Sequence, residues 1–271
     1  MHDLIVDVGN KQSDSALLRF AFSLARQHNA GITGLQVVAL DALALALPEA
    51  LSFLDEEARQ AWERRDWWLT LCEQHGVRGS WEVARGFYQS VMARQSVLTD
   101  LVIGSFDNHH ALSSAAVGLL GRSVLAEAVP MLLVPEQWEG SGRVRRIVIA
   151  WNGSVEAARA VRASYPLLGR AAEILVIDGE PREGDAGNHE SVPAARLPLR
   201  DWMKHRNIRA RWRTCADDDP VGHAIHQWAL EDEADLIVMG AWGHLRVGEW
   251  LLGGVTSHML SHSQIPLLLA H

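Results

Sequence analysis

The sequence predicts an α/β protein made of two consecutive units, each a parallel sheet covered by helices. Three observations predict it. Short apolar runs alternate with amphipathic stretches in a β-α-β-α order, which calls for parallel strands with helical crossovers. The pattern reaches a fifth strand at Met131–Val134 and then starts again at Arg146. Matching segments also recur in order: Asp3-Leu-Ile-Val-Asp-Val-Gly9 with Arg146-Ile-Val-Ile-Ala-Trp-Asn-Gly153, Asp100-Leu-Val-Ile-Gly104 with Asp235-Leu-Ile-Val-Met-Gly240, and Pro130-Met-Leu-Leu-Val with Pro266-Leu-Leu-Leu-Ala. Residues 1–135 and 144–271 are therefore read as two domains, with Glu136–Gly142 as a linker.

In order, Leu4–Val8 is the first strand, closed by Gly9-Asn10. Ser13 or Asp14 caps the next helix, whose buried stripe is Leu17, Leu18, Ala21, Phe22, Leu24 and Ala25. Asn29-Ala-Gly31 stops it, and Ile32–Leu40 is the second strand. Residues 42–75 are mostly helix, interrupted at Pro48, with one amphipathic stretch from Leu54 to His75 that Gly76 ends. Val77–Ala84 is the third strand, Phe87–Leu98 a helix and Asp100–Gly104 the fourth strand. Residues 105–116 read as a mobile loop and Val117–Ala128 as a helix. In the second unit Ser154 caps a helix from Glu156 to Leu168. Glu173–Ile177 is a strand, 179–192 a polar loop, Ala194–His205 a helix and Ile208–Thr214 a strand. The helix Pro220–Leu230, the strand Leu236–Met239, the helix Val255–His262 and a last strand after Pro266 complete it.

Composition excludes several classes. A formal net charge of −8 argues against a dedicated nucleic-acid or anionic-membrane binder. No apolar run reaches the roughly 18 residues of a membrane span. The N-terminus enters a strand at once and lacks a signal-peptide n-region. Cys72 and Cys215 are far apart and in no C-x-x-C, so two free thiols in a reduced, cytoplasmic setting are expected. Trp62, Trp67 and Trp68 share one helical stretch and read as packing.

The chemistry concentrates near the C-terminus. Leu236–Met239 is a buried strand closed by Gly240; Gly243 follows, then Gly253, Gly254 and a helix start. Gly240 and Gly243 allow close backbone approach, and the unpaired N–H groups of a helix N-terminus favour an anion. The alternative is a strand, a loop and a helix whose glycines only turn corners. Four glycines at these spacings favour phosphate.

This G-x2-G-x9-G segment, followed by a helix and by Pro266 before an apolar strand, resembles the universal stress protein family. Arg146-Ile-Val-Ile-Ala-Trp-Asn-Gly-Ser154 resembles that family's first strand and loop, and the duplication resembles its tandem members. The resemblance implies two doubly wound five-stranded parallel sheets of order 3-2-1-4-5, adenine nucleotide alpha-hydrolase-like, with ligands beyond the C-terminal strand ends. It implies a stress-response protein that binds ATP, with Mg²⁺ as a possible companion, and is regulatory with at most weak hydrolysis. Carried over, Asn152, Gly153 and the backbone near Ile177 would hold the adenosine end. Met239, Gly240 and Gly243 would follow at the end of strand four, and Gly253, Gly254, Val255 and Thr256 would cradle phosphates. The resemblance also implies that Met131–Val134 and Leu267–Ala270 pair to make an intramolecular pseudo-dimer, with dimerisation of whole chains a further possibility.

Two departures weaken that site. Gly254 stands where the family has a serine or threonine, removing a hydrogen bond of about 0.5–1.5 kcal/mol that Thr256 would partly replace. Asn152 stands for the usual aspartate and brings no charge to a metal. The first unit departs further: Gly104-Ser-Phe-Asp107 lacks the second glycine and puts an acid near the phosphates, and Val8 fills the acidic position beside Asp7. It is expected to be without nucleotide.

Other chemistry is thin. There is no G-x-x-x-x-G-K-[ST], no G-x-G-x-x-G and no nucleophile elbow. His223 with His226, and His258 with His262, have helix spacing, and His109-His110 lie in a loop; these read as solvated histidines, with no metal site. Asp217-Asp218-Asp219-Pro220 reads as a helix cap. The competing reading is an interaction protein of the same fold that binds no nucleotide. A third, an enzyme or carrier using a small apolar ligand or metal between the halves, rests on the histidine pairs alone.

Overall fold

The computed structural model describes residues 1–40, 50–106, 129–179, 197–215, 221–241 and 254–271. Ten strands form one sheet: β1 (Asp3–Asp7), β2 (Gly31–Ala39), β3 (Arg78–Gly86), β4 (Leu101–Phe106), β5 (Met131–Pro135), β6 (Arg146–Trp151), β7 (Glu173–Asp178), β8 (Arg211–Thr214), β9 (Leu236–Gly240) and β10 (Leu267–Ala270). Their order is β3-β2-β1-β4-β5-β10-β9-β6-β7-β8, so each half has the 3-2-1-4-5 arrangement and the two meet at β5 and β10. All neighbours are parallel except that pair, which runs antiparallel with Leu267 opposite Leu133, Leu268 opposite Leu132 and Leu269 opposite Met131. These seam residues are at most 2% exposed. Burial of each stabilises by roughly 1.5–3 kcal/mol, and the continuous run of apolar residues is what a strand covered on both faces requires.

The helices are α1 (Ala16–His28), α2 (Ala50–Glu63), α3 (Arg65–His75), α4 (Tyr88–Gln95), α5 (Val155–Ala163), α6 (Tyr165–Leu168), α7 (Leu199–His205), α8 (Val221–Glu231) and α9 (Gly254–His262). The cap of α1 is Ser15, whose Oγ accepts from Leu18 N–H at 3.4 Å, rather than Ser13 or Asp14. Ser154 caps α5 by accepting from Ala157 N–H at 3.1 Å. Asn29 and Gly76 end α1 and α3 in the left-handed conformation, where asparagine and glycine are tolerated.

Several boundaries differ from the sequence reading. The stretch 54–75 is two helices broken at Arg64, and Glu156–Leu168 is broken at Ser164. β4 runs through Phe106, so the first two residues of the expected mobile loop are strand. Leu197 and Pro198 precede α7, and β8 begins only at Arg211. Trp68 is fully buried, but Trp62 is 48% exposed and packs little. The helix expected at 117–128, the histidines at 109–110, the loop 179–192 beyond Gly179 and the acidic run 217–219 lie outside the described residues.

The segment 136–142 is not a free tether. Trp138 packs edge-on against Phe20 at 5.2 Å, and Arg19 Nη2 donates to its carbonyl at 2.8 Å. Gly142 is left-handed at φ 74°, a Cβ there would lie 2.5 Å from Ser23 Cβ, and Gln27 Nε2 donates to its carbonyl at 2.9 Å. The repeated aspartates serve one purpose twice. Asp100 accepts from the backbone N–H groups of His2 and Asp3, and Asp235 from those of Arg145 and Arg146, each fixing the start of a half's first strand.

Candidate functional site

The C-terminal ends of β9, β6 and β7 lie side by side in the sheet, and Val255 near the start of α9 packs against the apolar cluster that includes Met239 and Ile177. Asn152 and Gly153 follow β6 directly and are exposed; Gly153 is left-handed at φ 74°. Asn152 Oδ1 accepts from Ser154 N–H at 3.2 Å, so the side chain turns back on its own loop. Met239, 3% exposed, pairs in register with Ala150, which sets the end of β9 beside the end of β6. Ile177 is buried within β7, level with Ala150; the strand continues to Asp178, and Gly179 N–H donates to Trp151 O at 2.8 Å.

Gly240 has a structural reason to be glycine. A Cβ there would lie 2.5 Å from Ala157 N and 2.9 Å from both Glu156 C and Glu156 Cβ. The first turn of α5 therefore rests directly on the end of β9. That contact brings the positive end of one helix dipole to the strand end from which the chain leads to a second helix N-terminus, at α9. Glu156, half-buried in that first turn, supplies a carboxylate that already suits the α5 dipole.

Gly254 opens α9, and among the described residues nothing lies within 4 Å of where a Cβ would be. Val255 is partly buried against the core. Thr256 is 4% exposed and already engaged, so it lies in the core rather than at the open helix end. Gly243 and Gly253 lie outside the described residues. Two further groups tie this corner together, and neither was visible in a local motif. Arg159 Nη1 donates to His271 O at 2.6 Å, and His271 Nδ1 lies 3.1 Å from Ala241 O.

The equivalent corner of the first half is filled by its own chain. Tyr88 donates its hydroxyl to Asp7 Oδ2 at 2.5 Å, and burial raises the Asp7 carboxyl above its ordinary range despite that bond. Arg64, from the break between α2 and α3, donates to the carbonyls of Gly9 and Lys11 and to Gln36 Oε1. Its guanidinium lies 4.6 Å from the Trp67 ring and 5.9 Å from the Trp81 ring. Neither Arg64 nor Tyr88 sits in a sequence pattern that marks this role.

The histidine pairs meet between α8 and α9. His258 stacks on His262 at 4.4 Å and lies 6.3 Å from His223 and 6.4 Å from His226. Among the described residues no group of three histidine, cysteine, aspartate or glutamate side chains is arranged to hold a metal ion. No described helix is long and apolar enough to cross a membrane. Cys72 is a buried free thiol.

Residues 143–271 match the Universal stress protein family. This half is a universal stress protein domain. Over the whole chain, the fold is similar to a universal stress protein from Archaeoglobus fulgidus, with a TM-score of 0.69 at 14% identity over 98% of this chain and 95% of that one. It is also similar to a functionally unknown protein from Pseudomonas aeruginosa, with a TM-score of 0.60 at 15% identity over 100% and 92%. A universal stress protein family protein from Arabidopsis thaliana, solved with AMP bound, matches 51% of this chain and 93% of its own, with a TM-score of 0.34 at 14% identity. No curated protein sequence matches the chain. The first of these likenesses extends the universal stress protein fold to both halves.

Proposed function

We propose that the chain is a tandem universal stress protein whose C-terminal half binds an adenine nucleotide, ATP in the first instance, in a regulatory role with at most slow hydrolysis. The observation that carries this is the open N-terminus of α9 at Gly254, reached from a strand end on which the first turn of α5 already rests. Phosphates belong at Gly254 and along the glycine segment before it. The adenosine end belongs beside Asn152, Gly153 and the end of β7. Mg²⁺ would reach the site on the phosphates, because Asn152 offers no charge and faces Ser154. Nucleotide would act by population shift, favouring one arrangement of the surface around the site that a partner protein reads.

The test is titration calorimetry with ATP and Mg²⁺ on the full chain and on Gly254→Asp. The new carboxylate meets no atom of the described residues and suits a helix N-terminus, so the fold is expected to survive while phosphate is repelled. Affinity is expected to fall at least about tenfold, equivalent to 1.4 kcal/mol. Equal binding by the variant, or no heat from the parent at millimolar ATP, would overturn the proposal.

A second reading is a nucleotide-free interaction protein. The Asn152–Ser154 bond, the Gly240–Ala157 packing and Glu156 favour it, since each accounts for a motif residue without a ligand. Absence of ATP binding together with an unchanged melting temperature would support it.

A further inference from the structure

A separate cavity of about 470 Å³ lies at the start of β8, between α7 and the outer edge of the sheet. Gly240 closes the opposite, C-terminal end of β9, so the cavity is no part of that site. Its floor is apolar, from buried Met203 and half-buried Ile208, Ala210 and Trp212. Arg200 lies over the Trp212 ring at 3.8 Å and forms one wall. Lys204 and Arg209 are exposed on the rim, with Asn207 turned into the left-handed conformation at φ 56° between them.

The charge balance is the informative part. Among the described residues no carboxylate lines the cavity, in a chain of net charge −8. The next cations along β8 are neutralised: Arg211 by Asp232 at 2.6 Å and Glu173 at 3.6 Å, Arg213 by Glu231 at 3.3 Å. Arg200, Lys204 and Arg209 make no ion pair with any described residue. Three uncompensated cations around an indole face suit a negative group joined to a flat apolar body. We propose that this cavity binds a small organic anion, a carboxylate or phosphate carried on a ring.

The probes are phenyl phosphate, benzoate and the neutral benzyl alcohol, titrated into the full chain. The readout is the Trp212 indole N–H signal, assigned with Trp212→Phe. Either anion is expected to shift that signal saturably, and which one binds tighter decides between phosphate and carboxylate. Lys204→Gln with Arg209→Gln is expected to weaken binding at least about tenfold without moving the melting temperature, since neither side chain has a described partner. If the double variant melts early, Arg209→Gln alone carries the test. An unmoved Trp212 signal at tens of millimolar probe, equal binding of benzyl alcohol, or undiminished affinity in the variants would overturn the proposal.

Discussion

The loop after the first strand has opposite fates in the two halves. After β1 it is gripped by Arg64 and flanked by the Tyr88–Asp7 hydrogen bond, both reaching in from other elements. After β6 Asn152 turns back on Ser154 N–H, and Asn152 and Gly153 stay exposed. The strand order is the same in both halves, so the fold does not decide which corner is free to receive a ligand. A few long side chains from neighbouring helices do.

The largest effect expected concerns what anchors the gripping helix. Trp68 is fully buried, and a Cβ on Gly34 would lie 2.7 Å from its ring. Trp68→Ala should cost about 3–5 kcal/mol in denaturant unfolding. If the halves unfold separately, the loss will fall on one transition only. Next comes a glycine test. Gly240→Ala drives a methyl into Ala157 N and should cost about 1–3 kcal/mol in denaturant unfolding, although by register the first half carries Ser105, with a Cβ, at the same place. Absence of a measurable loss would erase the packing difference drawn between the halves. Arg64→Ala frees the carbonyls of Gly9 and Lys11 and should cost about 1–3 kcal/mol. It should still give no ATP binding to the first half, because Asp7 and Tyr88 remain; nucleotide binding there would make Arg64 a plug rather than a brace.

The smallest effect is one of pH. Burial, and then the neighbouring histidines, lower the pKa of His226 and His258, and both have a buried ring nitrogen without a hydrogen-bond partner. A depressed histidine pKa favours the neutral folded form. Stability is therefore full above the unfolded value near 6.5 and declines as pH falls below it. His28 contributes in the same direction, its pKa lowered to about 4 by burial and by Arg170. The melting temperature should drop between about pH 7.5 and 5, and His226→Gln with His258→Gln should flatten part of that drop. An unchanged pH profile in that variant would assign the decline elsewhere.

Much of the architecture was legible because it is periodic or repeated. Strand positions, the Ser154 cap, the Asn29 and Gly76 stops and the β5–β10 seam follow from apolar runs and from a family resemblance. The candidate site was legible only as a set of backbone positions. The break at Arg64 was hidden because amphipathic spacing continues across it, and the contacts that hold the residue there are distant in sequence. The reason for Gly240 was hidden for the same cause: a glycine that admits phosphate and one that admits a helix look alike until the helix is placed. Thr256 looked available by spacing, yet its position on α9 turns it inward.

The antiparallel meeting of β5 and β10 has a consequence for assembly. Each five-stranded half contributes the strand it would otherwise leave unpaired at that edge, so the chain has already used its most apolar edge on itself. What remains outward are β3 and β8, with Arg78, Arg85, Arg211 and Arg213 exposed along them. Charged edge strands resist the addition of another strand. Growth of this sheet by a further strand is thus disfavoured at both of its outer edges.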